Sequence, residues 1–315
     1  MKIDYNLQFN KNNRLKHFLN IQNLSKEHIN EIIDLADKYI NNEGNKFKDL
    51  EGKTIASLFF EPSTRTKTTF ELASKRLSAD FINIDIANSS TLKGESILDM
   101  IKTLEAMECD MFIVRHSSSG TPHYIAKEVG NKISVINAGD GIHAHPTQAM
   151  LDMYTIKKHK GGFENLNVSI VGDILHSRVA KSLIASLKIL SVKNINVIGP
   201  KNLMPENINE LGVNYFSNLK EGINDVDVII MLRLQQERMK EAFISTEDYY
   251  NNYGLTKQKI MSAKKDVIVM HPGPINRGIE IDSEVADGPN SVILDQVTVG
   301  ISIRMAIMSL IFKNN

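Results

Sequence analysis

Short apolar runs alternate with helical periodicity along this 315-residue chain, and that alternation restricts its fold more than any other feature. Residues 54–60, TIASLFF, read as a strand, and Phe70, Leu72, Ala73 and Leu77 then recur at helical spacing. Residues 81–86, 111–114 and 133–137 read as further strands, with a helix over about 96–109 and another between Thr121 and Gly130. Thr121-Pro122 supplies a good N-cap and first helical residue, and Gly130 a stop. Ser25 is placed to cap an earlier helix reaching about residue 40, with Ile29, Ile32, Ile33 and Ala36 on one face. A helix from Pro146 to about 158, punctuated by Gly161-Gly162, leads to a second set of strands at 167–171, 194–198, 226–232 and 267–270. Ser177 begins a helix within that set. A long apolar helix over 297–312 follows and is expected to pack back on the first set. The expectation is therefore α/β: two parallel-sheet domains, 1–147 joined by 297–315, and 148–296, with the active site in the cleft between them.

Ligands of open α/β sheets bind outside the carboxyl ends of the strands. The polar clusters of this chain fall there: STRTK after the first strand, Arg115-His116 after the third, NAGDGIHAHPTQ after the fourth and GD…HSR after the fifth. Later strands add RLQQER and HPGP. The first cluster, within LFFEPSTRTKTTFELAS (58–74), places Ser63, Thr64, Arg65 and Thr66 where a strand hands over to a helix. Backbone N–H groups there have no intrahelical partner and the dipole favours an anion, so hydroxyls and a guanidinium make a cradle suited to phosphate. A plainer reading is that Ser63 or Thr64 only caps the helix while Arg65 and Lys67 are solvated. Glu61 needs a cationic partner if it is buried.

Lysine plus arginine equals aspartate plus glutamate, 37 each, so no global field points to nucleic acid or a lipid surface. The single cysteine, Cys109, excludes an internal disulfide framework and fits a reducing, cytoplasmic compartment. The polar N-terminus carries no signal-peptide core, and no apolar run is expected to span a bilayer. His143 and His145 stand close, but no third ligand has recognisable spacing, so no metal is expected. No Gly-x-Gly-x-x-Gly run follows the first strand of either unit, which leaves a dinucleotide enzyme without support.

Taken together and in order, these clusters resemble the transcarbamylase family over about residues 50–308, on the side of its aspartate-type members. The resemblance implies two α/β domains, a carbamoyl-phosphate domain followed by an aspartate domain, assembled as a homotrimer without cofactor. By position, Ser63, Thr64, Arg65 and Thr66 match the phosphate-binding run, and Arg115, His145 and Gln148 match residues around the carbamoyl group. Carbamoyl phosphate is an acyl phosphate, and attack by an amine puts negative charge on its carbonyl oxygen. Thr66, Arg115 and His145 would donate to that oxyanion, a role open to a neutral imidazole. Arg178, Arg233 and Gln235 match the aspartate-binding residues, and paired guanidinium forks suit a dicarboxylate. The resemblance also implies that Glu61 bridges across domains to Arg178 and Arg238. It implies that backbone carbonyls of the HPGP loop hold the incoming amine, with Gly273 and Pro274 beside carbamoyl phosphate. Lys93 and Ser89, or Ser90 in its place, match loop residues that enter a neighbouring subunit's site.

Ornithine-type members carry His-Cys-Leu-Pro where this chain has His271-Pro272-Gly273-Pro274, and their Ser-Met-Gly loop is not visible here. Gly273 replaces a leucine of some members, which would loosen or reshape the pocket. Lys67 replaces a frequent arginine and keeps its charge. Two other readings stand beside this one. A transcarbamylase for another amine is separated by a substrate panel. A non-catalytic phosphate-metabolite sensor would be flagged by loss of Arg115, His145 or Lys93, and all three are present. A regulatory chain or another pathway enzyme fits as a partner equally well with or against this sequence.

Overall fold

The computed structural model describes residues 5–42, 44–86, 94–235 and 245–314. Contacts divide the chain into two compact units, Met1–Met150 with Val299–Asn315, and Leu151–Thr298. In the first, α1 (Lys26–Ile40), β1 (Thr54–Phe59), α2 (Thr64–Arg76), β2 (Asp80–Ile84), α3 (Ile97–Ala106), β3 (Met111–His116), α4 (Thr121–Glu128) and β4 (Ser134–Asp140) follow in order, and α5 (Pro146–Lys160) starts there. All strand pairs are parallel, in the order β2-β1-β3-β4.

Parallel neighbours need crossover connections, which α2 and α4 provide. Ser25 caps α1 reciprocally with His28, and Ile29, Ile32, Ile33, Ala36 and Tyr39 form its buried stripe. Leu58, Phe112, Val114 and Val135 of the strands meet Met100, Ile101, Leu104 and Ile125 of the helices in one cluster. Each such side chain contributes about 1.5–3 kcal/mol when fully buried. Only edge strand β2 is largely open.

The second unit holds β5 (Asn167–Val171), α6 (Arg178–Ile189), β6 (Asn194–Ile198), β7 (Asn214–Phe216), α7 (Leu219–Gly222), β8 (Val228–Met231), α8 (Thr246–Tyr253), β9 (Ile268–Met270), α9 (Ser283–Ala286) and the start of α10 (Ile293–Asn314). Its sheet is also parallel, ordered β7-β6-β5-β8-β9. Val171, Ile198, Ile229, Met231, Val269 and Tyr249 make its core.

Several expectations need correction. The N-cap of α4 is Gly120, held at φ 89°, and Thr121 is already helical; its hydroxyl donates back to Ser118 O at 3.1 Å. Helix α10 starts at Ile293, four residues before the expected point, and runs 22 residues. By length and composition it could cross a membrane, against the reading that no such run exists, but most of its apolar stretch is buried inside the protein. β7, α7, α8 and α9 were not expected: each is too short for its periodicity to register.

Candidate active site

The two sheets share a topological device. In the first, the chain goes from β1 outward to β2 and then returns to the other side as β3, so strand order reverses between β1 and β3. In the second, order reverses between β5 and β8. Ligands of open α/β sheets sit outside the carboxyl ends at such a switch point. Ser63, Thr64, Arg65, Thr66 and Arg115 lie at the first of these and Arg178, Arg233 and Gln235 at the second, whereas His145 and Gln148 follow β4 and Gly273 and Pro274 follow β9.

At the first, Phe59 at the end of β1 is the Cα partner of Arg115 near the end of β3. The chain leaves β1 through Phe60, Glu61 and Pro62 and enters α2 at Ser63. Ser63 occupies the N-cap with φ −162° and ψ 100°, yet its side chain makes no capping hydrogen bond. That is against the plainer reading of the serine as a cap. Thr64 and Arg65 are exposed and Thr66 is buried in the first turn. Although Arg65 is exposed as a residue, desolvation of its guanidinium lowers its pKa from the usual arginine value.

Glu61 finds its cation inside this unit, since its Oε1 lies 2.8 Å from Arg115 Nε. Arg115 Nη1 also donates to Ala138 O of β4 at 3.3 Å. An ion pair to Glu61 and a hydrogen bond to Ala138 therefore hold the guanidinium. Beside it, burial lowers the pKa of His116, whose Nδ1 accepts from Ser118 N at 2.8 Å.

His145 is 5 % exposed, and its carbonyl accepts the first helical bonds of α5 from Gln148 N and Ala149 N, at 3.1 and 3.2 Å. Its loop is knotted on Asp140, a residue quoted within a motif but given no role by sequence. Asp140 Oδ2 accepts from Gly120 N at 2.6 Å, and Oδ1 accepts from Asn137 Nδ2 at 2.8 Å and Ala144 N at 3.2 Å. His143 Nδ1 lies 3.0 Å from Oδ2. Burial would raise the Asp140 pKa, but these bonds, above all from His143, outweigh it and hold the carboxyl below its ordinary range. His143 is thus committed to Asp140, while His145 follows into the helix start. Gly141, at φ 45°, is required: a Cβ there would meet Ser119 Oγ and Ser119 N far inside contact distance.

At the second switch point, β5 ends in Gly172, φ 132°, where a Cβ would stand 2.9 Å from Leu232 O. Only glycine lets the ends of β5 and β8 approach this closely. Asp173 follows, fully buried, and accepts from His176 N at 3.0 Å and from the Gln235 backbone. Burial raises its pKa, against the pull of His176 and of the Gln235 N–H. Ser177 caps α6, accepting from Ala180 N at 3.1 Å, and places Arg178, 4 % exposed, as the first helical residue. Arg233 and Gln235 are half-buried beyond β8, the strand adjacent to β5. In the loop after β9, Gly273 adopts φ 67°, a conformation that a leucine there would adopt only under strain. Ser89, Ser90, Lys93 and Arg238 lie outside the described residues.

Asp140 and Asp173 each follow a glycine at a strand end, in NAGDG and VGD. That repeated Gly-Asp was the available signal for both: a carboxylate that gathers loop N–H groups behind a ligand-facing turn.

Comparison with known proteins identifies the family. The carbamoyl-phosphate-binding domain of the aspartate/ornithine carbamoyltransferase family matches residues 16–158, and the family's Asp/Orn-binding domain matches residues 164–311. Aspartate transcarbamoylase from Trypanosoma cruzi, solved with carbamoyl aspartate and phosphate, is similar at TM-score 0.85 and 30% identity over 93% of this chain and 95% of that one. The same enzyme with N-(phosphonacetyl)-L-aspartic acid gives the same figures. Ornithine carbamoyltransferase from Thermus thermophilus has the same fold, at TM-score 0.83 and 24% identity over 94% of this chain and 98% of that one.

Proposed function

The chain belongs to the aspartate/ornithine carbamoyltransferase family and is an enzyme of carbamoyl transfer, and we propose that its acceptor is L-aspartate, giving N-carbamoyl-L-aspartate and phosphate, in pyrimidine synthesis. The observation that carries this reading is the switch point of the second sheet, where Arg178 after β5 and Arg233 after β8 come from adjacent strands with Gln235 beside them. Two guanidinium forks are the natural partner of a dicarboxylate and a poor one for the cationic side chain of ornithine. The crystallised relative with 30% identity is an aspartate enzyme, seen with its carbamoyl aspartate product, which supports the same choice.

In this reading the first unit is the carbamoyl-phosphate-binding domain. Ser63, Thr64, Arg65 and Thr66 hold the phosphate at the start of α2, and Gln148, Gly273 and Pro274 complete the carbamoyl surroundings. Arg115, fixed by Glu61 and Ala138, points its charge at the carbonyl oxygen together with Thr66 and His145. As the neutral aspartate amine attacks the carbonyl carbon, the C–N bond forms and the oxygen becomes anionic; the carbonyl then re-forms, the bond to phosphate breaks, and the departing phosphate takes up the proton lost by the amine. No protein nucleophile is needed, and stabilising that oxyanion is the principal catalytic task. The second unit is the aspartate-binding domain. Lys93 and Ser89 act in the site of a neighbouring copy, so the working form is a homotrimer. The compartment is the cytoplasm, in keeping with a lone buried thiol.

Phosphate release from carbamoyl phosphate, with L-aspartate or L-ornithine as acceptor, tests the reading. Turnover with aspartate alone is expected; turnover with ornithine alone would overturn it. Shared sites make a second prediction: inactive Lys93→Ala and Arg65→Ala chains, mixed and exchanged, regain activity because an intact composite site forms. No recovery after proven subunit exchange would exclude sharing.

A further inference from the structure

Residues 271–274, directly after β9, are built so that their backbone can offer a ligand nothing but carbonyl oxygen. Of residues 271–274, Pro272 and Pro274 have no N–H. The two donors that remain are both turned inward. Gly273 N donates to His271 Nδ1 at 2.7 Å, and His271 N donates to Gln296 Oε1 at 2.9 Å. Gln296 in turn donates through Nε2 to Asp152 Oδ1 of α5 at 2.7 Å.

His271 Nδ1 accepts a hydrogen bond, so the ring proton sits on Nε2, which donates to Glu280 Oε1 at 3.1 Å. The same Glu280 oxygen accepts from Asn276 N at 2.6 Å. One carboxylate therefore closes on both sides of the loop, through the imidazole before it and the backbone after it. Both side chains of the pair are fully buried.

A buried ionisable pair is a poor investment in stability, since well-packed apolar side chains of like volume are commonly as stable or more so. What this pair supplies is geometry. Gly273 sits at φ 67° with its N–H fixed, and the carbonyls on either side of that peptide unit are fixed with it. We propose that His271 and Glu280 are positioning residues for the amine site: His271 takes the Gly273 N–H, Glu280 takes the Asn276 N–H and orients the imidazole, and with Gln296 on the His271 N–H they hold the loop's carbonyl oxygens ready to accept from an N–H-bearing substrate. The proposal rests on the carbamoyl-transfer reading above for the loop's task, but not on which amine is the acceptor.

The test compares Glu280→Leu and Glu280→Gln with wild type, each as the full chain. Glu280→Leu removes the acceptor, and KM for the acceptor amine is expected to rise by about 10- to 100-fold, the usual range for losing a charge-assisted hydrogen bond. The dissociation constant for inorganic phosphate, measured by calorimetry, stays within about two-fold because the α2 cradle is untouched. Hydrogen exchange of the peptide containing Gly273 speeds up. Glu280→Gln keeps an oxygen for both donors and restores KM to within about three-fold of wild type. A folded Glu280→Leu variant with wild-type KM and unchanged exchange overturns the proposal, and so does a Gln variant as impaired as Leu. If the leucine variant does not fold, the glutamine variant decides: slow exchange at Gly273 with near-normal KM supports the pair, and fast exchange with normal KM removes its role. The acceptor used is whichever amine wild type turns over, so a wild type that rejects aspartate sinks only the aspartate reading.

Discussion

Both α2 and α6 start with an N-cap serine followed by an arginine within the first two helical residues, at the switch point of a parallel sheet, but the two starts are used differently. Ser177 accepts from Ala180 N, and Arg178 is buried. Ser63 makes no side-chain cap bond, and Arg65 is exposed. At α6 the serine supports the helix, and in the proposed function the arginine is the functional group. At α2 the proposed anion site combines the half-buried Ser63, the exposed Thr64 and Arg65 and the buried Thr66. The same local sequence signal can thus serve packing or chemistry, and only the side chain's hydrogen bond tells which.

The largest expected effect comes from the exposed arginine. Arg65→Ala should lower kcat/KM for carbamoyl phosphate by about a thousand-fold, a loss comparable with removing a preorganised oxyanion donor. Phosphate affinity, measured by calorimetry, should fall with it; normal affinity would remove the cradle assignment. Arg178→Ala should instead raise KM for aspartate by about 100-fold, from the loss of a charge-assisted contact. Carbamoyl-phosphate binding should change little. If both substrates suffered equally, the division of labour between the two helix starts would be wrong.

A smaller effect separates the scaffolds behind the two sites. His17, in the first unit, is fully buried with its Nδ1 accepting from Val135 N at 3.0 Å. Burial, with Lys16 and His123 nearby, lowers its pKa from 6.5 to about 3. The unfolded chain therefore binds a proton that the folded chain refuses. This contribution to stability is complete above the unfolded pKa near 6.5 and is lost as pH falls from there towards 3. At pH 5 the cost is about 2 kcal/mol relative to neutral pH, at 1.36 kcal/mol per unit. Denaturant titrations at pH 7.5 and 5 should show this loss in wild type and a flatter profile in His17→Gln. The smallest effect compares the serines. Ser177→Ala should cost about 1 kcal/mol of stability, as for a working cap, and Ser63→Ala under about 0.5 kcal/mol. Chemical denaturation measures both, and an equal cost would mean that Ser63 is a structural cap after all.

Much of this was legible in the sequence because of how the residues are distributed. Apart from β2 and β7, the strands are largely apolar and buried, and the first candidate site is a contiguous stretch, 63–66, read at one glance. The second site draws on Arg178, Arg233, Gln235 and Gly273, scattered over nearly a hundred residues, so periodicity could not assemble it and the family resemblance had to. The carboxylates behind the loops stayed silent for another reason. Asp140, Asp173 and Glu280 act through backbone N–H groups brought to them by the turn, and one-dimensional spacing carries no record of which N–H groups converge. The four short elements β7, α7, α8 and α9 escaped because three to eight residues hold too little pattern. Thr121 was mistaken for a cap because threonine before proline fits that position, whereas the chain uses the left-handed freedom of Gly120.

The first unit depends on the far end of α10. Arg304 lies over the Phe70 ring at 5.0 Å, Ser74 meets Met308, and Tyr39 donates to Ser309 at 2.8 Å. Ribosomes make these residues only after every residue of the second unit. Until they are made, the first unit, though translated earlier, has part of its apolar surface uncovered. The unit that is begun first is thus completed last, by a helix that follows Met150 about 150 residues later.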